Sequence, residues 1–397
     1  MHALSYVRES SPYVFRLSGV LFSFASIYLV SLTKSEEVAG EYFLFLALVT
    51  SLSVVFRFGF DDYILRNLSR DATGNVIKAL TTTFCIYLFS ESLGIYFGLS
   101  GGPYALVPIS ALFFSANYYA ALIFQGKDRK LSSVFFFSMF PNLLFCVFML
   151  LYPDTDIVNT YIFSHFSSGF IAWLFVLKLR LADCTNINSE GYTRVYTQTA
   201  KLFLILLTSQ IMINAPIFGA SFFYGTTYTA SIGFAQKLSQ LLLTALVVLN
   251  FVLAPKISRY FGNGEYEKIK SIYFSSLLFV WTVVLVSSGV LFFTFYFSDL
   301  FIVAKNYALF DYILVFVWVG YALNVSFGPI GILYTMTNNE YIASMFSGCA
   351  ILLLCIAMML AYRYNVHILG FLAFVLLIQS STKILMLAFY YRNNWVL

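Results

Sequence analysis

The sequence predicts an all-α polytopic membrane protein with about twelve transmembrane helices, and three observations predict it. Apolar runs of spanning length recur between Pro12 and Tyr391, separated by short polar punctuation. A hydrocarbon core ~30 Å thick needs roughly 20 apolar helical residues, and the run from Ser271 to Tyr296 supplies them. The chain is 60% hydrophobic and 10% charged, with a mean hydropathy of +0.83, against about 25% charged in a soluble domain. The runs are continuous rather than alternating, so helices and not barrel strands satisfy the backbone in lipid.

The first expected span is Pro12 to Thr33, which is too long for a signal-peptide core, and Met1 to Ser11 shows no small-residue cleavage pattern. It is therefore expected to stay uncleaved. The second, Val38 to Phe58, closes on the basic turn Arg57 to Arg66. Ala79 to Gly98 carries Glu91, and Tyr104 to Gln125 opens on an interfacial tyrosine. Val134 to Leu151 contains Pro141, and Ile157 to Leu177 contains His165. In the second half, Leu202 to Ser221 carries Gln210, Asn214 and Pro216. Thr226 to Leu253 carries Gln236, Lys237 and Gln240, and closes on Pro255 to Arg259. Ser271 to Tyr296 carries no charged residue. Leu309 to Tyr334 holds the Gly328-Pro-Ile-Gly331 cluster, and Ile342 to Ala361 and Ile368 to Tyr391 complete the set. Proline and glycine interrupt backbone bonding in three of these spans, as in helices that bend and in static bundles alike.

With the N-terminus inside, the outside loops hold only Lys34, Lys305 and Arg363, while every other loop cation from Arg8 to Arg392 falls inside. That bias leads us to expect both termini in the cytoplasm. The polar stretch from Lys178 to Lys201, with Asn186, Asn188, Ser189, Glu190 and Gly191, has linker composition. It divides the chain into an N-terminal lobe, 1–185, a cytoplasmic linker, 186–200, and a C-terminal lobe, 201–397. An even number of helices per half makes these repeats parallel.

Several function classes are excluded. No loop is long enough for an extramembrane catalytic domain, and there is no P-loop, no GxSxG and no metal-ligand cluster. The cysteines at 85, 146, 184, 349 and 355 form no CxxC pair, so neither a disulfide framework nor a zinc site is signalled. His165 reads as a hydrogen-bonded packing residue before a ligand or proton carrier. The chain is not expected to be an enzyme, to hold a metal or cofactor, or to bind nucleic acid. Energy for transport would come from a proton or sodium gradient, the membrane potential or the cargo's own gradient.

Ionisable residues inside spans are costly and mark functional candidates. Four cations qualify: Arg16, Arg57, Lys237 and Lys383. Lys237 stands ~16 Å into its helix, too deep for easy snorkelling. Gln236, Lys237 and Gln240 share one side of that helix by i, i+3 and i+4 spacing. Gln210 and Asn214 are again four apart on the preceding helix, and amides suit sugar hydroxyls because they both donate and accept. Amides also join helices to one another, so both readings stand. Arg16 lies near the cytoplasmic end of its helix, where it either faces a cavity or snorkels. Glu91 is expected near mid-membrane, as an ion-coupling carboxylate or one half of an ion pair. Asp61, Asp62 and Arg66 fall at the cytoplasmic end of the second helix, where charges are cheap. With Arg57 and Lys383 they read as gate or anchor residues.

A series of short motifs spans nearly the whole chain. They are Ala39-Gly-Glu-Tyr-Phe-Leu44 and Phe58-Gly-Phe-Asp-Asp-Tyr-Ile-Leu-Arg66 in the first half. In the second they are Ile232-Gly-Phe-Ala-Gln-Lys-Leu238, Leu253-Ala-Pro-Lys-Ile-Ser258, Gly264-Glu-Tyr-Glu267, Phe327-Gly-Pro329 and Asn338-Asn-Glu340. In their order and spacing the chain resembles the O-antigen and exopolysaccharide flippases (Wzx type) of the polysaccharide transporter family. That family lies in the superfamily of the multidrug and toxin exporters. The resemblance implies two six-helix lobes around a central cavity that opens alternately to each side of the membrane. It implies as cargo an undecaprenyl-pyrophosphate-linked oligosaccharide, moved from the cytoplasmic to the periplasmic leaflet. Its implied partners are that lipid-linked oligosaccharide, membrane lipids and other polysaccharide assembly proteins. A cationic cavity suits a pyrophosphate, which supports Lys237 and Arg16 on physical grounds. Many members carry an Asp in the seventh helix where this chain has Asn214, so ion coupling through that position would differ here.

Two other functions compete. A multidrug exporter of the same superfamily is disfavoured because lipophilic cations prefer an acidic cavity, and here cations outnumber carboxylates. A polysaccharide polymerase or ligase usually needs a substantial periplasmic loop bearing catalytic Arg or His, and the outside loops are short.

Overall fold

A computed structural model of the chain describes residues 2–66, 72–96, 103–126, 129–178, 192–297, 307–337 and 339–392. Every regular element among them is helical, with no strand. The order begins α1 (His2–Thr33), α2 (Glu36–Arg57), α3 (Phe60–Arg66), α4 (Ala72–Tyr96), α5 (Val107–Gly126), α6 (Lys130–Val134), α7 (Phe140–Leu151) and α8 (Ile157–Lys178). It continues with α9 (Tyr192–Phe223), α10 (Thr226–Gly262), α11 (Tyr266–Phe297), α12 (Phe310–Ser326), α13 (Ile330–Met336), α14 (Glu340–Arg363) and α15 (Ile368–Arg392).

The expected spans fall, in order, on α1, α2, α4, α5, α7 with the π turn before it, α8, α9, α10, α11, the α12–α13 pair, α14 and α15. Among the described residues 9 helices are long and apolar enough to cross a membrane, and Ser18–Thr33 of α1 adds a shorter apolar one. The protein is a multi-pass, all-helical membrane protein. In α11 only 6% of the most apolar window is buried, so side chains such as Leu278 and Leu285 must meet lipid. In water that face would cost about 25 cal/mol per Å², a cost that hydrocarbon removes.

Helix and membrane span are not the same length. α10 runs for 37 residues, or ~55 Å at 1.5 Å per residue, well beyond the ~30 Å core. Hydropathy marks only the lipid-embedded part, because residues such as Lys256 and Arg259 are good helix formers that end the apolar run without ending the helix. The same reasoning applies to α9. It begins at Tyr192, so the stretch expected as linker is helical from there onward, while 179–191 lie outside the described residues.

The described chain forms two compact units. Unit 1 comprises Met1–Lys34 and Phe45–Gln210, and unit 2 comprises Ser35–Leu44 and Ile211–Leu397. The chain therefore changes unit inside α2 and again inside α9. In unit 1, α5 packs on α4 and α8, and α1 packs on α7. Phe60, Tyr63, Tyr119, Phe124, Ala172 and Val195 form one buried cluster there. In unit 2, α10 packs on α11 and α12, and α15 packs on α12 and α14. Met212, Ala215, Leu354, Phe371 and Val375 are buried together.

Three proline breaks shape these units, and in each the freed carbonyls find new donors. In unit 1, Pro141 follows the π turn Phe135–Met139, in which the Phe140 N–H reaches back to Phe135 O. Continuing that register, Pro141 would leave Phe136 O without a donor. Ser168 Oγ of α8 donates to it at 2.8 Å, and Asn142 Nδ2 donates to Ser138 O at 2.7 Å. In unit 2, Gly328 (φ 63) and Pro329 separate α12 from α13. Tyr273 Oη of α11 donates to Phe327 O at 2.8 Å, and Trp281 Nε1 donates to Ser326 O at 2.9 Å. Pro216 interrupts α9, where amide side chains take over. In a membrane these replacements are compulsory, because lipid offers no donor.

Candidate functional site

Unit 1 places its charged cluster at the break between α2 and α3. Phe58 (φ 45) and Gly59 (φ 73) both take the left-handed region, and this ends α2 at Arg57. Only glycine fits at 59, since an added Cβ would stand 2.2 Å from Thr199 O of α9. α3 restarts at once and carries Asp61 back beneath Arg57, so that Arg57 Nη1 lies 3.1 Å from Asp61 Oδ2. Arg57 Nε donates to Ser53 O at 3.2 Å, and the guanidinium lies 4.3 Å from the centre of the Tyr118 ring. The last carbonyls of α2 are served from neighbouring helices. Thr83 Oγ1 of α4 donates to Phe56 O at 2.9 Å, and Ser115 Oγ of α5 donates to Ser53 O at 3.3 Å.

This corrects the expectation that Asp61 sits where charge is cheap. Its side chain is 5% exposed and that of Arg57 is 9% exposed. Each charge offsets the other and Arg57 Nε adds its bond to Ser53 O, while Asp61 Oδ1 is buried without a hydrogen bond among the described residues. The missed partners, Ser53, Thr83, Ser115 and Tyr118, are uncharged residues that sequence pattern does not distinguish from packing residues. Asp62 and Arg66 were expected beside them, but their side chains lie outside the described residues.

Elsewhere in unit 1, Glu91 is half-buried and stands near the last described turn of α4, one turn beyond its neighbour Tyr87. The helix begins at Ala72, earlier than the hydropathy run, and its described part runs on past Glu91 to Tyr96. Gln210 is half-buried on α9, and the side chain of Arg16 lies outside the described residues. His165 is buried, with Nδ1 3.0 Å from Tyr161 O and with Asn117 Nδ2 donating to His165 O at 3.0 Å. A carbonyl only accepts, so Nδ1 carries the proton in that contact. These bonds fit a packing role.

Unit 2 gathers the amides. Gln236 is 1% exposed on α10 and donates from Nε2 to Ile213 O of α9 at 2.8 Å. Its Oε1 and the Tyr321 hydroxyl of α12 are both buried without a well-formed hydrogen bond among the described residues. Tyr321 lies beside Gln236 and Gln240. Asn214 is buried on α9. Lys237, the next residue round α10 from Gln236, is half-buried. Lys383 on α15 is half-buried, with its Nζ 4.0 Å from where a Cβ would stand on Gly331 of α13. Among the described residues, neither lysine forms an ion pair or a hydrogen bond. No group of His, Cys, Asp and Glu among the described residues could hold a metal ion.

Sequence reasoning missed Tyr321 and Gln379, both on expected spans. Gln379 was open to detection by the rule that singled out Gln210, since an amide in lipid must find a partner.

No protein-family model and no curated protein matches the chain. Solved structures do. A mutant of the Vibrio cholerae MATE transporter VcmN matches with a TM-score of 0.68 at 14% identity, covering 100% of this chain and 99% of that one. The fold is that of the MATE transporters. A multidrug resistance MATE transporter of the MOP superfamily matches in its outward-facing conformation with a TM-score of 0.69 at 14% identity, covering 98% of this chain and 94% of that one. An inward-facing conformation matches with a TM-score of 0.64 at 14% identity over 96% of this chain and 97% of that one. The MATE-like architecture thus covers the chain from end to end.

Proposed function

We propose that this protein is an alternating-access transporter that moves a lipid-linked oligosaccharide, carried on a pyrophosphate, from the cytoplasmic to the periplasmic leaflet of a bacterial inner membrane. The observation that carries this reading is the pair of lysines, 237 and 383, on membrane helices of unit 2 with no counter-ion among the described residues. A cation in that setting is costly unless an anion completes it. A pyrophosphate supplies charge and several acceptor oxygens at once. Gln210, Asn214 and Gln240 add amides of the kind that recognise sugar hydroxyls. Glu91 is the candidate for coupling to a proton or sodium ion, and Arg57 with Asp61 anchors the inner end of α2.

The second reading is export of lipophilic drugs, which the descriptions of the structural neighbours favour. Lysines with no counter-ion among the described residues argue against it, because a lipophilic cation is repelled by them. The test reconstitutes the purified protein in vesicles holding an undecaprenyl-pyrophosphate-linked oligosaccharide in both leaflets. The proposal predicts that an external glycosidase consumes the inner-leaflet pool only when protein is present. Protein-dependent movement of a lipophilic cation, with none of the glycolipid, would replace it with the drug-export reading.

A further inference from the structure

Two amide side chains in unit 2 are committed to backbone. Pro216 has no N–H, so Met212 O in the preceding turn loses its donor, and the proline ring crowds that carbonyl and weakens the bond after it. Gln379 Nε2 of α15 donates to Met212 O, and Gln236 Nε2 of α10 donates to Ile213 O at 2.8 Å. The two carbonyls served are adjacent, and they lie between Gln210 and Asn214 in sequence. The donors come from two different helices, whereas at Pro141 one of the two is Asn142 of the same helix.

We propose that Gln379 and Gln236 are positioning residues, which hold the proline-broken turn of α9 in one conformation and so fix how that helix presents Gln210 and Asn214. The physical reason is the missing solvent. A helix turn without its backbone bond is held in lipid only by donors brought from elsewhere. A long side chain can supply one donor to a carbonyl that no backbone N–H reaches. Gln236 then acts through α9, a different role from direct contact with cargo. The claim concerns a helix and holds for any cargo.

The test places spin labels at Leu204→Cys and Phe222→Cys, two exposed positions on α9 on either side of Pro216, in a cysteine-free version of the full chain. A straight helix would separate their backbones by ~27 Å. The distance distribution of the wild-type background is the reference. Gln379→Met and Gln236→Met, which keep length and remove the donor, should each broaden it, and together should broaden it further. Pro216→Ala restores the N–H, so in that background the same two substitutions should leave the distribution unchanged. Unfolding of a Met variant with Pro216 present, but not with Pro216→Ala, would support the same coupling. Unchanged distributions in both Met variants, or equal damage with and without Pro216, would overturn the proposal.

Discussion

Lys237 is the residue on which the anion-binding account rests most heavily. It stands within α10, half-buried and without an ion pair among the described residues. If it meets a phosphate, removing the charge forfeits a charge-assisted hydrogen bond of ~1.5–3 kcal/mol. Lys237→Ala should therefore lower transport roughly tenfold or more, while Lys237→Arg keeps most of it. Quantifying surface polysaccharide at matched low expression separates the two. Equal output from the Ala variant and the wild type would remove Lys237 from the site. Arg57 and Asp61 call for a different experiment, because their charges satisfy one another at 3.1 Å. Arg57→Met alone strands a buried carboxylate and should cost about 3–5 kcal/mol, whereas Arg57→Met with Asp61→Leu should cost much less. Thermal denaturation of the four proteins in detergent measures the coupling, and additive losses would show that the pair is not a unit. At this scale the sequence exposed the lysines and amides, since polar groups in apolar runs are conspicuous. It did not expose the burial of Asp61, because that depends on Phe58 and Gly59 turning the chain back under its own helix.

Elements carry the account through their interruptions. Each expected span falls on a helix or a helix pair, and 9 helices among the described residues are long and apolar enough to cross a membrane, including α11. Helix ends were less legible, because α9 and α10 continue past the apolar boundary on residues that water tolerates. The prolines marked where backbone bonding fails, but the donors that repair each break come from residues distant in sequence, such as Ser168 for Phe136 and Tyr273 for Phe327. No local pattern links them. The α2–α3 turn gives a direct test of this scale. Gly59→Ala would force a side chain into a left-handed position and against Thr199 O of α9. It should destabilise the protein by at least ~1–3 kcal/mol, seen as a lower melting temperature, while Gly262→Ala, which meets nothing within 4 Å, should not. Equal melting temperatures for the two variants would mean that α9 does not approach Gly59 so closely.

For the whole molecule, the MATE-like fold is matched along its full length, and a fold alone names neither activity nor cargo. One architecture serves unrelated substrates when a few side chains change, so the lysines and amides carry the case for a lipid-linked glycan. The most direct measurement is to delete the gene in its own host and locate the lipid-linked repeat unit with a membrane-impermeant glycan label. The account predicts that single intact repeats accumulate and stay unlabelled in whole cells, becoming labelled only once the membrane is opened. Unpolymerised repeats that label from outside would contradict it and point to a polymerase, and a lipid-linked pool identical to the wild type would show that the cargo is something else.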